Sequence, residues 1–355
     1  MLVYLVLIAT IIFANFLLKE NRISKKQFCI LVGIGFILIT GLRSPGVGSD
    51  TTGYYFSFLD LKYLSWDELW AMEKRDWGYY LLAWILSKTT GSFTVLTLVT
   101  AVTFYYPVMK LLYKYSDDLG LSCLVMFAFN FFQFSMTGIR QTIAFGFAIL
   151  FFLAIHEKRS AWSIIKAILF VFLATAFHRS AFIILLYIPI KYLSKSRVAT
   201  QLSVLLIPII YLLRRTIVRG SRELLIELDF DALDFGEIGG GLTTFLMYIA
   251  FVLASFFLST DDGEDEIPAN EIILLAIVST AFQSMVLVES VLFRAAWYFA
   301  IFFIIMIPKF IKKANFGHNE RKIFGILGYS IVLYMYFFIT RGSAYVLPYR
   351  FFWQG

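Results

Sequence analysis

Charge is scarce in this chain. Asp, Glu, Lys and Arg together supply 15% of its 355 residues, where a soluble domain carries roughly a quarter. That deficit excludes a water-exposed globular body. Cysteine is nearly absent: Cys29 and Cys123 both lie inside apolar runs and read as buried free thiols, with no Cys-x-x-Cys or Cys/His cluster to hold zinc. Only three histidines are present, so acid–base candidates are few. No nucleic-acid-binding motif occurs, and the net charge of +7 reads as loop Lys and Arg that set membrane orientation. The centres of the apolar runs hold almost no ionisable residues, unlike proton- or ion-coupled transporters, and no internal repeat of the transporter kind is visible. No Lys or Arg precedes the first apolar run. The positive segment of a signal peptide is therefore missing, and the run is expected to be a retained span with its N-terminus outside.

What is present is apolar. Hydrophobic residues make up 60% of the chain, with 39 Phe and 20 Tyr, and the mean hydropathy is +0.78. A bilayer accommodates that much apolar surface and a single soluble core does not. The expected fold class is an all-α polytopic membrane protein, residues 1–355 forming one integral membrane domain. Runs bounded by charge predict twelve spans, near 2–18, 26–42, 92–112, 119–136, 138–155, 162–177, 180–193, 201–213, 242–259, 271–288, 293–308 and 323–339. The stretch Trp77–Leu86 is too short to cross and reads as a re-entrant or interfacial helix. This arrangement puts the basic clusters at 19–26, 191–197 and 309–322 inside, as the positive-inside rule requires. It also sorts the cations by type, with 13 of 16 Lys inside and 11 of 15 Arg outside. Arg is preferred where phosphate or carboxylate is gripped at two points; drift in residue usage is the alternative.

Polar residues gather at the expected outer ends: Arg43, Asp50, Asp76, Arg140, Gln141, His178, Arg179, Glu289, Arg294, Arg341 and Arg350. Two long outer segments accompany them, 43–91 with its short helix and an amphipathic loop or lid at 214–241. Arg140, Arg179 and Arg294 fall at predicted helix N-termini, where the dipole disfavours a cation. An anion bound there would reconcile the placement, while interfacial snorkelling is the alternative for each. Arg43 falls at a helix C-terminus, which the dipole favours. Asp50 suits proton acceptance from a hydroxyl or, alternatively, an Asx-turn. Asp76 suits the same role or a helix cap. His178 suits a base or a satisfied interfacial histidine. Glu289, five residues before Arg294, is placed to pair with it.

The ordered set Gly-Leu-Arg43 through Gly-Ser-Asp50-Thr with Tyr54, Asp76-Trp-Gly-Tyr79, Ile-Arg140-Gln141, His178-Arg-Ser180-Ala181, Arg294-Ala-Ala-Trp297-Tyr298-Phe299 and Leu-Pro348-Tyr349-Arg-Phe-Phe resembles the EpsG family, itself similar to the Wzy polymerases of bacterial surface polysaccharides. The resemblance implies a GT-C-like helical glycosyltransferase in the bacterial plasma membrane, with its site on the outer face. Its substrate would be oligosaccharide repeat units on undecaprenyl diphosphate, for exopolysaccharide, capsule or O-antigen. It implies diphosphate binding by Arg43, Arg140 and Arg294, with Arg179 beside them. Asp50, His178 and Asp76 are the catalytic candidates, and Gln141, Tyr54, Tyr298 and Glu289 would contact substrate. No metal or other cofactor is expected. Partners would be membrane lipids, a chain-length regulator and a flippase, with no nucleic acid. An exporter or flippase, an O-antigen ligase, a membrane acyltransferase and a structural scaffold are the rival readings.

Overall fold

A computed structural model describes residues 2–72, 76–158, 160–227, 241–256, 269–313 and 345–354. Among these residues every regular element is helical. The chain divides into two compact units, Met1–His178 with Asn315–Gly355, and Arg179–Ala314.

In the first unit, α1 (Leu2–Lys19), α2 (Lys25–Gly41), α6 (Phe93–Tyr115), α9 (Ile139–Ile155) and α10 (Ala161–Phe177) match expected spans. Charges and caps set their limits. Ser24 caps α2 through a reciprocal pair with Gln27, and Ser160 does the same for α10 with Ser163. Such boxes satisfy N–H groups that the first helical turn leaves open. α6 packs between α2 and α9. Large apolar side chains remain outside, among them Phe13 and Phe16 of α1, Ile34 of α2 and Ile168 and Phe172 of α10. Exposed apolar side chains on helices of this composition suit a lipid surrounding.

The expected span 119–136 is not one helix. α7 (Leu119–Ala128) stops at Phe129, Asn130 turns into the left-handed region at φ 63°, and α8 (Phe131–Phe134) is a single turn. Asparagine tolerates that conformation better than most residues, and an apolar window hides such a break. The segment 43–91, expected on the outer side, holds α3 (Thr51–Leu61), α4 (Trp66–Ala71) and α5 (Trp77–Thr89). Phe58, Leu61, Leu69, Tyr79 and Ala83 from these helices form one buried cluster with Phe93, Leu96, Ile139 and Ile143. The segment therefore sits directly on the N-terminal ends of α6 and α9.

In the second unit, α16 (Ala269–Val286) is buried on nearly every face, as a central helix must be. It packs against α13 (Leu206–Gly220), α15 (Gly241–Phe256) and α17 (Phe293–Ala300). The expected span 180–193 is a 3-10 helix, Arg179–Leu186, followed by α11 (Tyr187–Leu193). The span expected to end at 213 instead continues to Gly220, after a 41° bend from α12 (Arg197–Ser203). α14 (Arg222–Glu227) follows, and the remainder of the amphipathic segment, 228–240, lies outside the described residues. α17 and α18 (Phe303–Lys313) form a pair bent by 52°. The acidic loop 261–266, the span 323–339 and Arg341 also lie outside the described residues. Among the described residues, three helices are long and apolar enough to cross a membrane, or up to five if each bent pair counts as one span.

Candidate functional site

The first unit gathers its polar candidates at one end. Lys19 meets Asp118 at 3.1 Å and Lys166 pairs with Glu157 at the other end. Helix direction does the sorting: α2 and α10 finish where α6 and α9 begin. Thr97 of α6 donates to Gly41 O at 2.6 Å, and a Cβ on Gly78 would meet Ala176 O at 2.9 Å. The bare backbone of Gly78 thus lets α5 press against the last turn of α10, two residues short of His178.

Asp76 occupies the N-cap position of α5, yet its side chain caps nothing. It is wholly buried and accepts from Arg140 Nη1 at 2.8 Å. Two helix N-termini converge here, because Arg140 is the second residue of α9. The anion expected near Arg140 is thus supplied in part by the chain itself. A carboxylate at 0% exposure needs such a partner, since an isolated buried charge costs several kcal/mol. Arg140 Nε donates to Tyr54 Oη at 3.3 Å, and the Tyr54 ring meets Tyr79 edge-on at 5.4 Å. The Arg140 side chain keeps 31% of its surface exposed, so the guanidinium is oriented from beneath and reachable from outside.

Asp50 lies at the start of α3, exposed, with no side-chain cap bond. The Asx-turn alternative therefore does not form. The loop before it is held from both sides. Gly48 has φ +104°, and a Cβ there would fall 2.1 Å from Met136 O. Thr51 Oγ1 donates to the same carbonyl at 2.7 Å. Gln141 and His178 are both buried, and His178 is the C-cap of α10 through its backbone N–H to Ala174 O.

Arg43 is placed differently. It is 1% exposed. Nη1 donates to Thr40 O, while Nε and Nη2 have no hydrogen-bond partner. Burial pulls the guanidinium down to about 10, and the nearby phenols of Tyr349, Tyr105 and Tyr4 push it back up. The segment 345–354 covers it. Arg43 faces Phe351 across an antiparallel bridge, Ser44 N donates to Arg350 O at 2.8 Å, Phe352 N to Leu42 O at 2.9 Å and Gly48 N to Tyr345 O at 3.0 Å. Tyr4 Oη donates to Val346 O and Tyr349 Oη to Ile39 O, each at 2.8 Å. Sequence reasoning passed over Tyr4 as part of this end, although it is the one tyrosine of the first apolar run; Gly48 and Thr51 belong to the Gly-Ser-Asp50-Thr motif, but their contacts with Met136 O were not foreseen.

In the second unit Glu289 is buried and caps its own 3-10 turn, Ser290–Leu292, by accepting from Val291 N at 3.4 Å. Its second oxygen, Oε2, has no hydrogen-bond partner. The expected pairing with Arg294 is not made, because the carboxylate folds forward onto its own backbone. Arg294 is half-buried in the first turn of α17, as the spacing predicts. Tyr298 is buried in the same helix, and its carbonyl accepts from Tyr187 Oη. Arg179 is exposed at the first position of the 3-10 helix. The eleven sequence-derived candidates therefore divide. Arg43, Asp50, Tyr54, Asp76, Arg140, Gln141 and His178 belong to the first unit, and Arg179, Glu289, Arg294 and Tyr298 to the second.

The EpsG family model matches residues 26–351. No curated protein matches the chain. No solved structure matches it.

Proposed function

Because this chain belongs to the EpsG family over nearly its full length, we propose that it polymerises lipid-linked oligosaccharide repeat units for a bacterial exopolysaccharide. On this reading it is a metal-independent glycosyltransferase of twelve spans and GT-C-like fold in the plasma membrane, with its site on the outer face. The supporting observation in the molecule is the Asp76–Arg140–Tyr54 arrangement, a half-exposed guanidinium held from behind by a buried carboxylate.

In the reaction a hydroxyl of one repeat unit attacks the anomeric carbon of the glycan on a second carrier. The new glycosidic bond forms there as the bond to the diphosphate oxygen breaks. The electron pair leaves with undecaprenyl diphosphate, and the hydroxyl proton passes to a base. Arg140 is placed to meet the charge that grows on the leaving diphosphate. A donor fixed in advance is worth most in such a step because it need not reorganise. Asp76, committed to Arg140, is a positioning residue on this reading and not the base. Asp50 is the better proton acceptor, being exposed, with His178 second. In the first unit Gln141 is a further substrate-contact candidate; the second unit, taken by itself, offers Arg179 and Arg294 as diphosphate ligands and Glu289 and Tyr298 as substrate contacts.

The test is polymerisation by the purified protein in nanodiscs, supplied with its own lipid-linked repeat units. A ladder of products longer than two repeats, with release of undecaprenyl diphosphate, supports the proposal. Transfer of a finished glycan to a non-repeat acceptor only would make the protein a ligase. Movement of the lipid-linked unit across the bilayer with no new bond would make it an exporter. Sidedness is read separately. A cysteine at Thr52 should react with an impermeant thiol reagent in intact cells and one at Lys195 should not; labelling at Lys195 reverses the orientation.

A further inference from the structure

Arg43 poses a problem that the chain does not solve. A guanidinium carries five N–H donors and cannot shed its charge at neutral pH. Here it is 1% exposed, one donor group reaches Thr40 O, and Nε and Nη2 reach nothing. The neighbouring hydroxyls are engaged elsewhere. Tyr4 donates to Val346 O, Tyr349 to Ile39 O, and Tyr105 bonds Ser135 Oγ at 2.7 Å while accepting from Thr40 Oγ1 at 3.2 Å. No carboxylate of the described residues pairs with Arg43. Buried charges are ordinarily paired, and a buried charged donor left unsatisfied is costly because it has lost its water and gained nothing in return. The unmatched edge therefore has the chemistry of an anion site whose anion comes from outside the chain.

The cover over this site is of one piece. Residues 345–354 lie across Arg43, held chiefly by backbone bonds to residues 42–48 and by two tyrosine hydroxyls. The attachment is short, ends at an exposed Phe352 and Trp353, and is made of bonds that can break and reform without unfolding α1, α2 or α6.

We infer that Arg43 and the segment 345–354 form an occluded site for one phosphoryl group, and that this segment is a strap which opens to admit it. The inference rests on the proposed function for the identity of the natural anion, a phosphoryl group of the lipid diphosphate. The site itself does not depend on that identity, since inorganic pyrophosphate presents the same chemistry.

The experiment measures thermal stability of the purified, detergent-solubilised full chain, alone and with undecaprenyl diphosphate or inorganic pyrophosphate. Arg43→Met is expected to raise the Tm of the ligand-free protein, because it removes an uncompensated buried charge, and to abolish the rise in Tm that the lipid diphosphate gives the wild type. Arg43→Lys keeps a point charge without the fork and should weaken lipid binding by about tenfold, the equivalent of one charge-assisted bond. A cysteine pair at Leu42 and Phe352, facing each other beside the bridge, keeps Arg43 and tests the strap. Oxidation should remove the ligand-induced shift and a reductant should restore it. Full ligand stabilisation in both Arg43 variants overturns the site. Full stabilisation of the oxidised pair overturns the strap. Stabilisation by pyrophosphate alone overturns the link to the lipid carrier. If the wild type fails to polymerise yet the Arg43-dependent shift stands, the proposed function falls and the anion site remains.

Discussion

Arg140 and Arg43 stand at the same end of the same unit, and their surroundings are opposite. Arg140 has a buried carboxylate behind it, a tyrosine hydroxyl beside it and an exposed side. Arg43 has tyrosines around it, two silent donors and no exposed side. A carboxylate partner orients an arginine but also satisfies part of it, leaving a guide for an incoming anion. An arginine with one backbone acceptor and no counter-ion keeps most of its demand for one. The two positions therefore suit different steps, Arg140 the reacting diphosphate at an open surface and Arg43 a phosphoryl group held out of water.

The largest expected effect separates the pair directly. Arg140→Lys keeps charge but loses the fork that spans Asp76 and Tyr54, and should cut polymer yield by about 10²-fold or more, the scale of losing one preorganised donor, with normal membrane insertion. Wild-type yield would reduce Arg140 to an interfacial anchor and erase the contrast with Arg43. Next comes Asp76→Asn. It leaves Arg140 half-buried without its counter-charge and should lower stability by about 1–3 kcal/mol, read as Tm, together with a loss of polymer. A stable protein with normal activity would mean that the ion pair orients nothing that matters.

Gly48→Ala sharpens the other side of the comparison. Its φ of +104° and the 2.1 Å approach to Met136 O make any side chain strained, at a cost of about 1–3 kcal/mol. The strap loses the anchor between Gly48 N and Tyr345 O. A cysteine at Phe352 in that background should label faster than in the parent, while Arg140 chemistry suffers less than in Arg140→Lys. Equal labelling rates would show that the strap does not depend on this loop. The smallest effect concerns α4. Hydrogen bonds from Ser65 hold the Glu68 carboxyl below its usual range. A depressed carboxylate contributes stability above its unfolded value and loses it as pH falls through the lower folded one. α4 alone should loosen below about pH 4.5, seen as faster amide exchange of residues 65–71 and absent in Glu68→Gln. Exchange at the Arg43 strap should not follow it.

Much of the helix order was legible in the chain. α1, α2, α6, α9 and α10 follow from apolar runs closed by Lys, Arg and capping Ser, because in a bilayer length and charge placement dominate. The break at Asn130 and the 3-10 helix after Arg179 were not, since both lie within apolar windows whose composition does not change. The candidate site divides the same way. Asp76 at a helix start and Arg140 at another are local facts. That they meet at 2.8 Å is a matter of how α5 and α9 are packed.

The sequence by itself determined that the protein belongs in a membrane, that its polar chemistry collects at helix ends, and that arginines and a few carboxyls are the residues to watch. Those results depend on composition and spacing along the chain, which need no third dimension. Only the tertiary structure decided which arginine has a partner and which is shut away. A hydrogen bond across 64 positions, or a strap laid over residue 43 from residues 345–354, depends on packing between distant segments, and no local propensity encodes it.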